Sequence, residues 1–224
     1  MTASELLDWL QRRGTTRQVR ELDRYGITAP RPFGVSMGEI KRYAKEIGKD
    51  HALAQTLWNT GRYEAMVLAG FIDEPERVTL VQKNQWAADF DNWAIVDHVG
   101  FHLFDRTPQA WKKAAQWAKA RPEFTKRAAF ALLRSLSVHD KDAPDESFLA
   151  GLKLIESAAH DGRNFVKKAV NMSLRAIGKR NRALNRAAIK TAERLSRLED
   201  STSRWVGAHA LRELTSPAVQ KRLA

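Results

Sequence analysis

The sequence predicts an all-α fold of stacked helix pairs, and two patterns carry that prediction. Apolar residues recur at helical spacing along almost all of the 224 residues, and no segment shows the strict alternation of a strand. The segments EFTKRAAFALLRSL and NFVKKAVNMSLRAI also align without gaps at an offset of 41 residues. A period of this length is typical of HEAT and armadillo repeats, in which each helix pair buries its apolar face only against its neighbours.

Start and stop signals divide the chain into successive helices. Proline lies at or near several starts, as in DEPERV, RTPQAW and ARPEFT, where its missing N–H does no harm. The predicted helices are Ala3 to Arg13, Ser36 to Ile47, His51 to Thr60, Arg62 to Ile72, Glu76 to Ala88, Trp93 to Phe104, Pro108 to Ala120, Phe124 to Ser137, Glu146 to His160, Asn164 to Gly178, Arg180 to Leu198 and Ser203 to Leu214.

The repeat predicts a HEAT-like, ARM-type α-solenoid of stacked antiparallel helix pairs, formed as a single domain by residues 1–224, with a basic concave face. Arg127 and Lys168 occupy equivalent repeat positions, as do Arg134 and Arg175. A repeating charge on a curved surface can follow a phosphate backbone. The alternative is that Arg134 and Arg175 only cap the C-terminal ends of their helices.

The net charge of +12 lies mostly in the C-terminal half. Residues 121–224 carry 21 Lys and Arg against 11 Asp and Glu, whereas residues 1–120 carry 17 against 15. This imbalance predicts a polyanionic partner, and it favours nucleic acid over a merely solvated basic surface. Positive charge is most concentrated from Arg163 to Arg197, which we call the basic run. Within it, Arg163, Lys167, Lys179 and Arg180 are expected to attract DNA.

Several classes of site are excluded or disfavoured. The absence of cysteine excludes disulfides and thiolate chemistry, and no glycine-rich phosphate loop or serine elbow occurs. His98 and His102 are spaced to share a metal, but no further ligand joins them, so packing or surface roles are favoured and no metal or cofactor is expected. No window resembles a membrane span. We expect a cytoplasmic monomer, associated with the nucleoid when bound to DNA.

One carboxylate stands on an apolar helical stripe in the stretch DFDNWAIVDH. Trp93, Val96 and Asp97 share this stripe, and a buried carboxylate is costly unless it has a partner or a task. In the structural interpretation, Asp97 accepts hydrogen bonds from a neighbouring helix start or arginine, and Trp93 belongs to the core.

The functional interpretation places the same two residues beside damaged DNA. When the bond to an alkylated purine breaks, the deoxyribose gains oxocarbenium character, which a carboxylate stabilises while it orients a water. A purine alkylated on a ring nitrogen is already a cationic leaving group, and the indole of Trp93 can add a cation–π attraction. In this interpretation Asp97 and Trp93 are the candidate catalytic residues, and the structural interpretation stays open beside it.

Six segments in fixed order, spread over nearly the whole chain, resemble one family. They are LDRYGI, FGVSMGEIKRYAKEIG, DHALAQTLWNTGRYEAMVLAGFI, DFDNWAIVD, FTKRAAFALLR and FVKKAVNMSLR. Together they resemble the bacterial DNA alkylation repair enzymes of the AlkD-like type, the HEAT-like repeat DNA glycosylases. The resemblance implies removal of cationic N3- and N7-alkylated purines from duplex DNA, without enclosure of the base in a deep pocket.

The resemblance also implies roles for individual residues. Trp93 and Asp97 match the family's WxxxD pattern, Arg127 and Arg175 match arginines expected at the DNA, and Tyr25 matches an aromatic expected near the lesion. Met172 departs from the family, because active members carry a second tryptophan there. Methionine can touch a sugar through its sulfur but offers no cation–π face.

The primary prediction is a glycosylase of the 3-methyladenine and 7-methylguanine type, whose partner is double-stranded DNA containing alkylated purines. Two alternatives stay open: a non-catalytic HEAT-like protein that recognises damaged or unusual DNA structures, and a solenoid that binds an acidic protein. The residues predicted to contact DNA are Tyr25, Arg127, Arg134, Arg163, Lys167, Lys168, Met172, Arg175, Lys179 and Arg180.

Overall fold

A computed structural model describes residues 1–223 and confirms the all-α prediction. No strand occurs among these residues, and none of their helices is long and apolar enough to cross a membrane. The chain divides into two compact units, Met1–Pro108 and Gln109–Ala224. The prediction of one continuous domain with a basic concave face stays a prediction.

The first unit is built around one helix that is buried on nearly every side. This helix, α5 (Tyr63–Ile72), has the sequence YEAMVLAGFI and packs against α3 (Met37–Ile47), α4 (His51–Trp58) and α7 (Trp93–His102). A helix that is apolar all round is stable only inside a core, which explains its central place. The remaining helices of the unit are α1 (Ala3–Arg13), α2 (Thr16–Arg24), α3 (Met37–Ile47), α4 (His51–Trp58), α6 (Leu80–Ala88) and α7 (Trp93–His102), with 3₁₀ turns at Pro75–Arg77 and Phe104–Arg106.

The second unit consists of successive helix pairs followed by a short terminal helix. Its helices are α8 (Ala110–Trp117), α9 (Glu123–His139), α10 (Asp145–Ala158), α11 (Asn164–Ile177), α12 (Arg182–Ser196), α13 (Ser201–Leu214) and α14 (Pro217–Leu223). The second helices of the pairs, α9, α11 and α13, pack side by side. Phe124 and Phe165, which the sequence repeat aligns, meet with ring centroids 5.3 Å apart.

Most predicted helices are confirmed to within three residues at each end, but two helices were missed and one start was wrong. Helix α2 has the sequence TRQVRELDR and buries no residue, and α14 likewise buries none, so neither carries a clear apolar stripe. The helix predicted from Glu76 begins instead at Leu80. The Thr79 side chain accepts the N–H of Gln82 at 3.1 Å, which caps α6 at that point.

Candidate functional site

The start of α7 is fixed by a side-chain cap. The Asn92 side-chain oxygen accepts the N–H groups of Ala94 and Ile95, both at 3.0 Å. Such caps satisfy the unpaired donors at a helix N-terminus. The first helical residue is therefore Trp93, and its place on α7 follows directly from the cap.

Buried aromatic side chains hold the turn that precedes this cap. The Trp58 ring stacks on Trp86, with centroids 3.8 Å apart, and its indole N–H donates to the Asp89 carboxylate at 2.8 Å. Phe90 packs edge-on against Trp58 at 6.2 Å. The aromatic residues that surround Trp93 in the sequence therefore position the α6–α7 turn.

Tyr25 and Trp93 meet although 68 residues separate them in the chain. The Trp93 indole N–H donates to the Tyr25 carbonyl oxygen at 3.1 Å. Tyr25 ends α2, and 62% of its surface is exposed. The structure thus brings together two residues that the sequence assigns to the lesion.

Asp97 lies one helical turn beyond Trp93 on α7. Both residues are half-buried, whereas Val96 on the same predicted stripe is buried, as is Gly100 further along α7. The carboxylate therefore lies at the border between the buried and exposed sides of α7. This border position lowers the desolvation cost that full burial would impose.

The neighbouring His98 has a structural role. It is 6% exposed, and its Nε2 lies 2.8 Å from the Val67 carbonyl oxygen. Burial and, to a smaller extent, the nearby His102 lower the pKa of His98 to about 3, although the Val67 hydrogen bond opposes the shift. No group of three His, Cys, Asp or Glu residues suited to a metal occurs within residues 1–223.

A buried carboxylate, which sequence reasoning missed, holds the segment between α2 and α3. Glu64 is fully buried in α5, and its oxygens accept the N–H groups of Phe33 at 3.0 Å and Gly34 at 2.6 Å. Arg62 donates to the Arg31 carbonyl oxygen at 2.7 Å and lies over the Phe33 ring at 3.7 Å. The available signal was an acidic residue inside the apolar run YEAMVLAGFI.

The second unit contains a cationic cavity of about 700 Å³. Met172 lies on its wall, among the predicted cations. The wall of this cavity contains five of the residues that the sequence predicts to contact DNA. It also contains Lys141 and Arg222, which sequence reasoning missed. The cations on its wall are Arg134, Lys141, Arg175, Lys179, Arg180 and Arg222.

Two of these cations share one carboxylate. Arg175 and Lys179 both form ion pairs with Glu213, with the Lys179 ammonium at 2.6 Å. Burial raises the pKa of Glu213, but the Lys179 hydrogen bond and the Arg175 charge outweigh this and lower it overall. Because one negative charge faces two positive ones, this group keeps a net positive charge.

Arg180 also connects structural elements around the cavity. Its guanidinium donates to the carbonyl oxygens of Lys141 at 2.8 Å and of Ser137 and Ala143 at 3.3 Å. It also lies 4.2 Å from the Phe148 ring centroid. These contacts join the α11–α12 turn to the C-terminal end of α9, to the segment that follows it and to α10.

Other predicted DNA contacts join adjacent repeats. Arg127 is 3% exposed and donates to the Phe165 carbonyl oxygen at 2.8 Å, which links α9 to α11. Lys167 lies 4.9 Å from the Trp205 ring centroid, which links α11 to α13. Lys168, by contrast, is exposed.

Arg163 forms a fork with Asp161 through Nε at 2.9 Å and Nη2 at 2.6 Å, and donates to the Arg121 carbonyl oxygen at 2.6 Å. Lys126 forms a second ion pair with Asp161 at 2.9 Å. The Arg163 hydrogen bonds hold the pKa of Asp161 far below its usual range, against the effect of burial. Arg163 therefore fixes the turn at the start of α11.

A family described as "DNA alkylation repair enzyme" matches residues 6–214 of the chain. The chain belongs to this DNA alkylation repair enzyme family. A solved structure, described as one of a new family of proteins related to the HEAT-like repeat DNA glycosylases with affinity for branched DNA structures, also matches. It has 22% identity and a TM-score of 0.82, and the match covers 100% of this chain and 96% of that chain. No curated protein matches significantly.

The structural match confirms the HEAT-like repeat fold for this member of the DNA alkylation repair family. Family membership confirms the resemblance to DNA alkylation repair enzymes. The roles of Trp93 and Asp97, and those of the cations in the second unit, stay predictions.

Proposed function

We propose that this DNA alkylation repair protein is a glycosylase that excises cationic N3- and N7-alkylated purines from duplex DNA. The observation that carries the proposal is the pairing on α7 of a half-buried carboxylate and a half-buried indole one turn apart. The Trp93 indole is oriented by the Tyr25 carbonyl oxygen. Such preorganised groups are most effective where charge develops in the transition state.

The reaction needs no general acid at the base. The C1′–N bond breaks with its electron pair passing to the cationic purine, which leaves as a neutral base. Asp97 stabilises the positive charge that develops on the sugar and orients the water that adds to C1′, and the water's proton passes to the carboxylate or to solvent. The Trp93 face contributes a cation–π attraction to the same charge.

DNA affinity comes chiefly from the cationic cavity of the second unit. Arg134, Arg175 and Lys179 are half-buried on its wall, so their charges reach solvent while their stems are held by packing. Phosphate groups that enter the cavity release their condensed counterions, which makes binding strongly dependent on salt. Arg127 and Arg163 support this surface through the contacts that join neighbouring repeats.

Replacement of Asp97 by Asn tests the catalytic assignment. We expect Asp97→Asn to lose 7-methylguanine release while it keeps its affinity for the same methylated duplex, because the carboxylate acts on the transition state. Free base and abasic sites would be measured beside duplex binding. Asp8→Asn, an exposed aspartate of the same unit, is the matched control. Excision at the parental rate by Asp97→Asn would refute the assignment.

A second candidate is DNA binding without excision. Met172 favours it, because the cavity wall has a thioether where an aromatic face would stabilise a cation. The solved structure of a protein from a family with affinity for branched DNA structures also supports this second function. If the parent protein releases no base from methylated duplex and prefers a four-way junction to a linear duplex, this second function replaces the first.

A further inference from the structure

The first unit contains a second cationic cavity, of about 490 Å³, that none of the assignments above uses. It lies beside the C-terminal ends of α3 and α7. Phe71 and Phe101 form its apolar part, and its cations are Lys41, Lys45, Lys49 and Arg106. Among the described residues that line it, none is acidic.

Two of the cations of the cavity are neighbours on α3. Lys41 and Lys45 are exposed and stand one helical turn apart on α3, so both ammonium groups address the same space. Glu46, the exposed acidic residue beside them, lies on the other side of α3, where it lines a separate groove with Trp9 and Tyr43. The positive charge of the cavity is therefore not neutralised from α3.

Lys49 is fixed near another positive charge. Its ammonium donates to the carbonyl oxygens of Phe71 at 2.9 Å and Asp73 at 2.6 Å. Burial and the nearby Arg106 charge lower the pKa of Lys49, whereas the carboxylates of Asp73, Glu76 and Glu74 oppose this shift. An anion bound between Lys49 and Arg106 would relieve the repulsion between their two positive charges.

The combination of aromatic and cationic groups restricts the ligand. Proteins that hold single-stranded nucleic acid use aromatic faces for the bases and cations for the backbone. The cavity volume of about 490 Å³ is in the range of small-ligand sites, which suits one nucleotide. A run of acidic side chains would satisfy the lysines but would bring no aromatic base to stack on the phenylalanines.

We propose that this cavity binds one unpaired nucleotide of a DNA strand, with its base against Phe101 and Phe71 and its flanking phosphates on Lys41, Lys45 and Arg106. Phe101 lies one turn beyond Asp97 on α7. A nucleotide bound there would lie next to the proposed catalytic side of that helix. The site does not depend on excision, because a protein that only binds DNA would use it in the same way.

The first test removes the two lysines of α3. Lys41→Gln/Lys45→Gln should weaken binding of a short fluorescein-labelled thymidine oligonucleotide by about tenfold and make its logarithmic salt slope about 1.4 shallower, as for two phosphate contacts on a single strand. Affinity for a blunt duplex should change by less than about threefold. The matched control is Lys112→Gln/Lys119→Gln, which removes two exposed lysines outside both cationic cavities and should behave as the parent.

The second test concerns the ring. Phe101→Leu should lose about tenfold in single-strand affinity with an unchanged salt slope, and Phe101→Tyr should retain the parental value, because stacking needs the aromatic face. Equal losses on single strand and duplex for the lysine variant, or parental binding by both variants, would overturn the proposal. Competition by a glutamate oligomer as strong as that by an oligonucleotide of equal charge would assign the cavity to an acidic protein instead. Methylated-duplex excision by the same variants separates these outcomes from failure of the glycosylase assignment.

Discussion

Single side chains determine how well the proposed excision can proceed, and Met172 is the one that departs from the family pattern. Its thioether lies on the wall of the cationic cavity in α11, beside Arg175. The family resemblance implies an indole at this position in active members, and an indole face attracts a cationic base or sugar. A partly exposed cation–π contact of this kind contributes about 1 kcal/mol, or roughly fivefold in rate.

The first prediction therefore concerns a gain of activity. Met172→Trp should release 7-methylguanine from methylated duplex roughly fivefold faster than the parent, as measured by single-turnover release of free base. Met172→Leu is the control, because it keeps the volume without an aromatic face and should not gain. A slower Met172→Trp variant would show that the indole does not fit this wall.

The second prediction concerns His98 and pH. Its pKa falls from an ordinary 6.5 to about 3 in the folded protein, so between these values the unfolded chain binds a proton that the folded one does not. Stability is therefore fully present above pH 6.5 and is lost as pH falls. From pH 7 to pH 5 the loss from this one residue is about 2 kcal/mol.

Urea unfolding at several pH values would measure this effect. His98→Gln keeps an N–H donor for the Val67 carbonyl oxygen but does not titrate, so its free energy of unfolding should vary less across this pH window. The variant should also be less stable at pH 7, because the ring contacts with Phe71 are lost. Parallel pH curves for parent and variant would contradict the prediction.

At the scale of elements, a carboxylate on the central helix of the first unit organises the segment that precedes α3. Gly34 adopts a φ of +82°, and a Cβ there would lie 2.3 Å from the Thr15 carbonyl oxygen. Only glycine can therefore occupy this position without a steric clash. Glu64 satisfies the N–H groups that this path leaves unpaired. Buried donors without such a partner are costly.

The third prediction follows from these bonds. Glu64→Gln replaces one acceptor oxygen by an NH₂ group that faces backbone donors, and it should lower the free energy of unfolding by about 2 to 3 kcal/mol. Urea denaturation would measure the loss, with the exposed Glu46→Gln as control. A Glu64→Gln variant as stable as the parent would show that the three N–H groups find other acceptors.

Sequence patterns succeeded for elements with a wide apolar face and failed for those without one. The offset between α9 and α11 predicted that Phe124 and Phe165 are equivalent, and their rings are in contact. Helices α2 and α14 were not predicted, because they bury no side chain and so show no apolar stripe. Contacts such as the hydrogen bond between Trp93 and Tyr25 depend on distant segments meeting, which local periodicity does not encode.

The charges of the candidate site show the same division. The basic run indicated which helices carry the cations, but not that Arg175 and Lys179 share Glu213, because that carboxylate belongs to a later repeat. Lys141 and Arg222 were not predicted to line the cavity, because they lie outside the repeat helices that the sequence aligns. The sequence therefore predicts the sign of a surface better than the pairing within it.

At the scale of the whole molecule, the net charge of +12 predicts that the proposed DNA binding depends strongly on salt. Arg175→Ala should weaken duplex binding and make the logarithmic salt slope about 0.9 shallower, the value for one phosphate contact on duplex DNA. Lys153→Ala, an exposed lysine on α10, is the control and should leave the slope unchanged. An unchanged slope for Arg175→Ala would assign Arg175 to the ion pair alone.

Glu213 distinguishes the two roles of Arg175 by the sign of its effect. Arg175 and Lys179 pair with Glu213 in the free protein, so a DNA phosphate would have to compete with this carboxylate for them. Glu213→Gln releases both cations and raises the net charge by one. If these cations bind DNA, Glu213→Gln should bind duplex DNA several-fold more tightly and with a steeper salt slope, although its free energy of unfolding falls by roughly 1 kcal/mol. If the ion pairs are only structural, the variant loses stability without any gain in affinity. Duplex titrations over a range of salt, run beside urea denaturation of the same variant, measure both quantities.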